Sequence, residues 1–246
     1  MEKRAFQKYP RTPHLPGSGA VTKDDVVLPE SEMWEFLNAH SIMVEEKIDG
    51  ANVRIKWDGI GDLTVGNREH TLLKGYMKCD TPAKLQFRPM WNWIYENKNI
   101  FRALIGVLGT SDFTLYGEWM YAEHSVHYDS LPDLLIPFAI KFDDSPSFMD
   151  PIKARHAISE AGFCGPPVLC STLRLGSDGR IDIKSVIGDL MSSNKSAWSS
   201  ANREGIYIKC GDGNMTTGRY KYVDPNFIPV QNFTERGLKR NVVYAA

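Results

Sequence analysis

A lysine, and a set of charged residues that accompany it in a fixed order, could carry phosphoryl chemistry. The stretch Val44–Val53 places Lys47 two residues before the pair Asp49–Gly50. Taken alone, Lys-x-Asp-Gly is more typical of an exposed turn in which Asp-Gly reverses the chain. The other members of the set are an amide, further cations and further carboxylates: Asn52, Arg68, Glu118, Glu204, Lys209, Arg219 and Lys221.

Such a lysine attacks phosphorus only when its amine is neutral, and the ordinary pKa of lysine is about 10.4. Burial and neighbouring cations both lower that pKa. A reactive Lys47 would therefore be buried among cations, which would also bind phosphate groups and stabilise negative charge in a transition state. The expected cations are a divalent metal ion and the side chains of Arg68, Lys209, Arg219 and Lys221.

The order of these residues resembles the covalent nucleotidyltransferase superfamily of polynucleotide ligases and capping enzymes. The nearest likeness is to the phage-type ATP-dependent nick-sealing RNA ligases. Their pattern runs Lys-x-(Asp/His)-Gly-x-Asn, an arginine, Gly-Glu, an aromatic strand, Glu-Gly-x-x-x-Lys and Lys-x-Lys, and its counterparts here span residues 45–221. The resemblance implies an α+β fold: two antiparallel β-sheets with flanking helices and a nucleotide groove between them, the ligase adenylyltransferase or ATP-grasp-like arrangement.

The resemblance also implies a role for each matched residue. Lys47 is expected to be the nucleophile that forms a lysyl-AMP phosphoamide. Glu46 is expected to contact the adenine edge. Arg68 and Glu118 are expected to hold the ribose, with Glu118 also near the metal ion.

The phosphates and the metal ion are expected to be bound by a second group of matched residues. Asn52 would lie near the phosphates, and Lys209 and Lys221 would contact the α-phosphate. Glu204 would bind the metal ion directly or through water. Arg219 replaces the first lysine of the last family motif, and its planar fork is expected to bind a different phosphate oxygen.

One face of the site is expected to be apolar so that it can stack on adenine. Ile48, next to the nucleophile, is expected to contact the nucleotide. The aromatic stacking position falls on Phe138 or Ile140, and the sequence leaves both open. Gly50 is expected to permit a tight turn that lets the backbone approach the nucleotide.

The resemblance ends soon after Lys221, because only 25 residues follow it. We therefore expect one nucleotidyltransferase domain over residues 1–246, without the OB-fold barrel of DNA ligases and capping enzymes or the C-terminal helical domain of RNA ligases. Both ends are basic: residues 1–23 hold five Lys or Arg against one Glu, and residues 219–246 hold five against two acidic residues. These basic ends, or a partner protein, are expected to bind the RNA backbone. The basic ends include Arg4–Lys23, Arg236, Lys239 and Arg240.

Helices and strands that could position these residues follow from spacing and turn signals. The proline-rich residues 1–29 predict an extended segment. The order of elements is rich in strands without regular alternation with helices, which favours α+β with antiparallel sheets. Helices are predicted over 31–40, 83–108 (one or two), 151–162 and 183–191, and strands over 53–57, 63–65, 113–121, 134–142, 204–209 and 219–223.

Composition excludes several other classes of protein. The chain is 42% hydrophobic and 24% charged with a net charge of −1, as expected for an ordinary globular protein. It has neither a run of about 20 apolar residues nor an apolar N-terminus, so we expect a cytoplasmic protein without membrane contact and with four reduced cysteines. Phosphate-loop, dinucleotide-binding and Gly-x-Ser-x-Gly motifs are absent from the sequence. His124 and His127 lack a third metal ligand in the sequence pattern.

These observations predict an ATP-dependent RNA ligase. Lys47 would take AMP from ATP, AMP would pass to an RNA 5′-phosphate, and a 3′-hydroxyl would then attack, with Mg²⁺ or Mn²⁺ required throughout. The expected partners are RNA ends or a nicked RNA duplex, in RNA repair, with an end-processing enzyme or a separate RNA-binding protein. The alternatives are a DNA ligase or a capping-type guanylyltransferase with the same lysine chemistry, and a catalytically idle nucleic-acid-binding module.

Overall fold

Two antiparallel sheets form the framework of the computed structural model, which describes residues 7–33, 41–57, 63–68, 70–72, 82–171, 182–230 and 237–244. The first sheet has the strand order β7-β1-β8-β9, and the second has the order β4-β3-β2-β5-β6. The strands are β1 Ser41–Glu46, β2 Ala51–Trp57, β3 Leu63–Asn67, β4 Thr71–Leu72, β5 Phe113–Trp119, β6 Leu135–Phe142, β7 Val168–Cys170, β8 Gly205–Gly211 and β9 Thr216–Val223. The helices are α1 Pro82–Leu85, α2 Met90–Glu96, α3 Lys98–Leu108, α4 Pro151–Glu160 and α5 Ile183–Ser192.

Alternation along the strands decides which side chains face the helices. In β2, Val53 and Ile55 are buried in the core that α2, α3 and α4 cover, while Asn52 and Arg54 project to the opposite face because neighbouring side chains alternate. In the first sheet, Val44 and Ile208 pack beneath α5 in a separate core. Each sheet therefore has one helix-covered face and one face available for the other sheet.

Aromatic side chains fill part of the space between the two sheets. Tyr116 and Phe148 pack there with Tyr9, which comes from the N-terminal segment, and Phe138 and Tyr207 pack against this cluster. The Tyr9 ring lies 5.0 Å from the Phe138 ring in an edge-to-face arrangement, a geometry that aromatic quadrupoles favour. The N-terminal segment is therefore part of the interior.

The same segment also extends the first sheet beyond β9. The backbone of Leu15 donates to the carbonyl of Lys221, and the backbone of Lys221 donates to the carbonyl of Pro13, at 2.9 and 3.0 Å. His14 forms parallel bridges with both Val27 and Lys221. The predicted extended path is confirmed for its described part.

Helix boundaries follow the chemistry of their first and last residues. The Asp150 side chain accepts hydrogen bonds from the backbone N–H groups of Ile152 and Lys153 at the start of α4, and Pro151 occupies the first turn, as expected. Gly162 follows the end of α4 with φ of +99°, a conformation that favours glycine.

Several predicted elements differ from the observed ones. The helical region 83–108 is divided into α1, α2 and α3, with Pro89 immediately before α2. Of the helix predicted over 31–40, residues 31–33 form a 3₁₀ turn and the rest lies outside the described residues. The strands β1, β4 and β7 were not predicted because each is short or lacks clear alternation. Within the described ranges, no helix has the length and apolar character needed to cross a bilayer.

Candidate active site

Lys47 lies where the chain passes from the first sheet to the second. Strand β1 ends at Glu46 and β2 begins at Ala51, so Lys47–Gly50 forms the connection. The Lys47 backbone N–H donates to the carbonyl of Gly205 in β8 at 3.0 Å. This bond fixes the lysine backbone against the first sheet.

The rest of this connection is fixed by residues 117–128. The Asp49 N–H donates to the Tyr128 hydroxyl at 2.9 Å, and its carboxylate accepts from the Ser125 N–H at 2.6 Å. A Cβ at Gly50 would lie 2.9 Å from the carbonyl oxygen of Trp119, so glycine is required for close packing against the end of β5. Close approach to protein backbone therefore requires this glycine, which also lines the cavity beside Lys47; the expected approach of its backbone to a nucleotide stays a prediction.

The Lys47 side chain makes a close ion pair with Glu204. Its Nζ lies 2.5 Å from Oε2 of Glu204, and the two side chains are 22% and 11% exposed. Burial alone lowers the pKa of Lys47, but the carboxylates of Glu204, Asp49 and Glu118 outweigh it and raise the pKa above the ordinary value. Lys47 is therefore a charged ammonium in the protein without nucleotide.

The sequence predicted cations around Lys47, whereas in this structure carboxylates have the larger electrostatic effect on it; a lowered pKa with nucleotide and metal ion bound stays a prediction. The groups with the largest electrostatic effect on Lys47, apart from burial, are the carboxylates of Glu204, Asp49 and Glu118. Among the expected cations, Lys221 is near enough to interact with Lys47. Burial lowers the pKa of Lys221, and the positive charge of Lys47 lowers it further. The site is thus acidic around the nitrogen before any substrate is bound.

Five of the predicted residues line one cavity of about 410 Å³. Such a volume falls in the range of small-molecule sites. Its wall also contains Gln86 and Phe87, from the turn between α1 and α2. The sequence did not indicate them because the region predicted as helical over 83–108 carries no motif. The predicted residues in this wall are Lys47, Ile48, Asn52, Arg68 and Glu118.

Glu118 is the most perturbed carboxylate of this cavity. Burial raises its pKa to about 7, although Lys47 opposes the shift. Its Oε1 accepts from Nδ2 of Asn52 at 3.4 Å, whereas its Oε2 is buried without a hydrogen-bond partner within the described ranges. A buried oxygen that lacks a partner is a point at which a ligand hydroxyl or a cation would be stabilised.

Lys221 is held beside this site by the N-terminal segment. Its Nζ lies 3.4 Å from Oδ1 of Asp25, and Nε2 of the buried His14 lies 3.6 Å from the same oxygen. Burial lowers the pKa of His14. Sequence reasoning missed Asp25 and His14 because a tertiary strand pairing, and no local motif, brings them to β9.

Glu46 and Lys209 are placed away from the cavity wall. The Glu46 carboxylate is 1% exposed and accepts from the Ser196 hydroxyl and the Ala197 N–H at 2.5 and 2.9 Å. Lys209 is 3% exposed and pairs with Glu45 at 2.5 Å. In this structure both charged groups are bonded to protein partners, and their expected contacts with adenine and phosphate remain predictions.

The two candidates for adenine stacking lie on opposite faces of the second sheet. Ile140 is fully buried in the helix-covered core. Phe138 lies at a bulge opposite β5 and packs with Tyr9 between the sheets. Of these two residues, Phe138 is therefore the one on the groove side, where Tyr9 already contacts its ring.

Arg219 lines a different cavity from Lys47. This second cavity, of about 470 Å³, lies between the N-terminal segment and the start of β9. The guanidinium carbon lies 4.7 Å from the ring centroids of both Tyr9 and Phe148. The expected contact of Arg219 with a phosphate oxygen of the nucleotide stays a prediction.

The donor set near Lys47 fits a divalent cation held in part by substrate. Glu204 and Glu118 offer carboxylate oxygens, the donors that Mg²⁺ prefers, and Mg²⁺ commonly uses one or two carboxylates together with substrate phosphates. Within the described ranges, no three His, Cys, Asp or Glu side chains converge to hold a metal ion by themselves. The Glu118 oxygen without a partner is consistent with such a shared site.

With this geometry established, the comparisons with known proteins define the class of the chain. The pattern of the family described as RNA ligase matches residues 40–223. The chain belongs to this RNA ligase family, so the predicted membership of the covalent nucleotidyltransferase group is confirmed. No curated protein sequence matches the chain.

Solved structures of RNA ligases share the fold at low sequence identity. A Naegleria gruberi RNA ligase with PPi aligns with a TM-score of 0.53 and 18% identity over 78% of this chain and 52% of that chain. A mutant of the same enzyme with AMP and Mn aligns at 0.51 and 16% identity, over 78% and 52%. An archaeal ATP-dependent RNA ligase aligns at 0.53 and 15% identity, over 89% and 48%. The chain thus spans about half the length of these relatives. The shared fold confirms the predicted α+β class.

Proposed function

We propose that the chain is an ATP-dependent RNA ligase that works through a lysyl-AMP intermediate on Lys47. One observation carries the proposal: the Lys47 ammonium pairs with Glu204 at 2.5 Å at the wall of a cavity large enough for a nucleotide. Family membership supports the reaction class. The names of the similar structures, which include ATP-dependent RNA ligase and complexes with AMP, Mn and PPi, are consistent with it.

In the first step, Nζ of Lys47 would attack the α-phosphorus of ATP. A nitrogen–phosphorus bond forms, the bond from that phosphorus to the bridging oxygen breaks, and pyrophosphate leaves. The proton of the ammonium must leave before the attack. Glu204 is the nearest base, and burial raises its pKa although Lys47 opposes the shift, which makes it a stronger proton acceptor than an exposed glutamate.

Loss of that proton requires that the negative charge around Lys47 be reduced. Glu118 would hold a Mg²⁺ or Mn²⁺ ion, and Glu204 would contact the ion through water and so stay free to accept the proton. The ion when bound neutralises charge on the triphosphate and lowers the pKa of a neighbouring amine. Arg68, which is exposed at the cavity rim, would bind and orient an anionic or hydroxyl group of the nucleotide. Asn52 would orient Glu118 through the bond between their side chains.

The later steps use the same site on a second substrate. An RNA 5′-phosphate would attack the adenylyl phosphorus and release the Lys47 amine, and an RNA 3′-hydroxyl would then attack the activated end and release AMP. Lys221, charged and paired with Asp25 at 3.4 Å, would stabilise negative charge on the adenylyl phosphate in each step. Each reaction exchanges one bond to phosphorus for another, so no further reactant is needed.

The test combines self-labelling with strand joining. The purified protein is incubated with α-labelled ATP or α-labelled GTP and Mg²⁺, and the label that remains on denatured protein is measured. Nicked RNA and nicked DNA duplexes are then compared as joining substrates. The proposal predicts labelling from ATP and joining of RNA; labelling from GTP alone would indicate capping-type chemistry, sealing of DNA alone a DNA ligase, and no labelling an idle binding module.

A further inference from the structure

The second cavity has the character of an anion site. Its walls come from the N-terminal segment, from residues 146–148 and from the first half of β9. They include Arg11 and Arg219, whereas no Asp or Glu is among the described residues that line it. Among these described residues, none is shared with the Lys47 cavity. The two cavities therefore differ in both position and charge.

Arg219 lines this cavity, and its guanidinium interacts with the hydroxyls of Tyr9 and Tyr207. The Tyr9 and Phe148 rings lie 5.1 Å apart, and the guanidinium carbon packs against both of them, 4.7 Å from each ring centroid. Its Nη1 is buried without a hydrogen-bond partner within the described part of the chain. Leaving a buried donor unpaired is costly, more so for a charged group. The side chain as a whole is partly exposed, so a phosphate oxygen in the cavity would bond to its accessible part, since arginine forms its strongest hydrogen bonds with such anions.

The remaining walls would suit the base and sugar of the same unit. Pro10, Pro13 and Phe148 give apolar surface, and the exposed Thr217 gives a hydroxyl at the rim. A volume of about 470 Å³ is in the range that accommodates one nucleotide-sized ligand. Single-stranded nucleic acids are commonly bound in this way, by cations along the backbone and apolar or aromatic surfaces under the bases.

We infer that the second cavity binds one nucleotide of the RNA strand, with its phosphate on Arg219 and Arg11; this inference rests on the proposed RNA ligase function. Arg219 and Lys221 are two residues apart on β9, so their side chains share a face and their Cα atoms are separated by roughly 7 Å. Lys221 is near enough to Lys47 for their charges to interact. An RNA strand bound at Arg219 would therefore be held close to the site where its end reacts.

Binding of a short fluorescein-labelled single-stranded RNA, followed by anisotropy at several salt concentrations, tests this inference without relying on catalysis. Arg219→Gln is expected to weaken binding about tenfold and to reduce the slope of log Kd against log salt by about 0.7. Thr217→Glu adds a carboxylate at the rim without removing a buried group, and it is expected to weaken binding in the same direction. Arg102→Gln, an exposed arginine on α3, makes the same charge change elsewhere and is expected to bind normally.

Self-labelling with α-labelled ATP is measured on the same proteins, so the two proposals are tested separately. If wild-type protein does not label itself, the proposed function fails, while the RNA-binding comparison still decides the cavity. Normal RNA binding by Arg219→Gln, with loss of self-labelling, would assign Arg219 to ATP and overturn the inference. If Arg102→Gln loses as much RNA affinity as Arg219→Gln, the effect of Arg219 is a general effect of charge and the inference is overturned. If Arg219→Gln does not fold, the RNA affinity of Thr217→Glu tests the inference in its place. Normal RNA binding by Thr217→Glu would then overturn the inference.

Discussion

Glu118→Gln should make the protein more stable at alkaline pH while impairing its reaction. Burial raises the pKa of Glu118 to about 7 from the ordinary 4.5, so folding disfavours the ionised carboxylate. A carboxyl group whose pKa is higher in the folded than in the unfolded protein contributes to the free energy of unfolding in a pH-dependent way. Its contribution is fully present below about pH 4.5 and is lost as pH rises through about 7. Glutamine keeps the shape and can still accept from Asn52, but it never ionises.

The magnitude follows from the pKa difference. At 1.36 kcal/mol per unit, a shift of this size corresponds to about 3 kcal/mol, which access of water to the cavity reduces to roughly 2–3 kcal/mol. For a chain of this length, that difference raises the Tm by roughly 5–10 °C at pH 8. Near pH 5 the wild type and the variant should unfold at nearly the same temperature.

The assay is thermal unfolding of both proteins between pH 5 and pH 8.5, without nucleotide or metal ion. Glu160→Gln, at an exposed position at the end of α4, is the matched control and should show little pH-dependent difference from wild type. Self-labelling by Glu118→Gln should fall, since the carboxylate is proposed to act in the site. A Tm difference that does not change with pH would refute the argument that a buried, ionisable Glu118 destabilises the free protein.

Three further substitutions test other parts of the structure. Lys209→Met leaves Glu45 buried without its partner and should cost about 3–5 kcal/mol in urea unfolding, whereas the double variant Lys209→Met with Glu45→Gln should recover much of that loss. Asn241→Ala removes three hydrogen bonds of a buried amide, to the Tyr128 N–H and to two carbonyls. It should cost roughly 2–3 kcal/mol of unfolding free energy in the same measurement. An unchanged urea midpoint would show that the contacts of residues 237–244 through Asn241 are not needed for stability. Lys221→Met should slow self-labelling by at least about 2 kcal/mol of activation free energy, from single-turnover rates at saturating ATP, and a near-normal rate would remove Lys221 from the phosphate site.

The parts of the fold that the sequence predicted are those decided by local chemistry. The cap at Asp150 with Pro151 and the glycine at 162 define α4 from neighbouring residues alone. The alternation in β2 likewise places Val53 and Ile55 in the core. Pairing between distant strands is not encoded locally, which explains why β7, paired with β1 across more than a hundred residues, was missed.

The site was predictable to the extent that one local motif carries it. Lys47 and its neighbours Ile48 and Asn52 are close in sequence, and the structure brings them to one cavity with Arg68 and Glu118. Charge balance was the part that could not be predicted. It depends on Glu204, which immediately precedes β8. This contact gives Lys47 an acidic environment in the free protein, whereas a basic one was expected.

Residues brought in by the N-terminal segment were beyond sequence reasoning for the same reason. Asp25 reaches Lys221 because His14 pairs with β9, and Tyr9 reaches Phe138 because the segment enters the space between the sheets. Prolines indicated an extended path but not its destination. A basic, proline-rich segment therefore becomes part of both candidate sites.

Mapping of the covalently bound nucleotide tests the central proposal most directly. After incubation with ATP and Mg²⁺, the protein is digested under conditions that preserve the nitrogen–phosphorus bond, and the modified peptide is sequenced by mass spectrometry. We predict AMP on Lys47, with no modified peptide from Lys47→Arg, which keeps a positive charge next to Glu204. Adenylyl groups on another lysine, or unchanged modification of Lys47→Arg, would contradict the account.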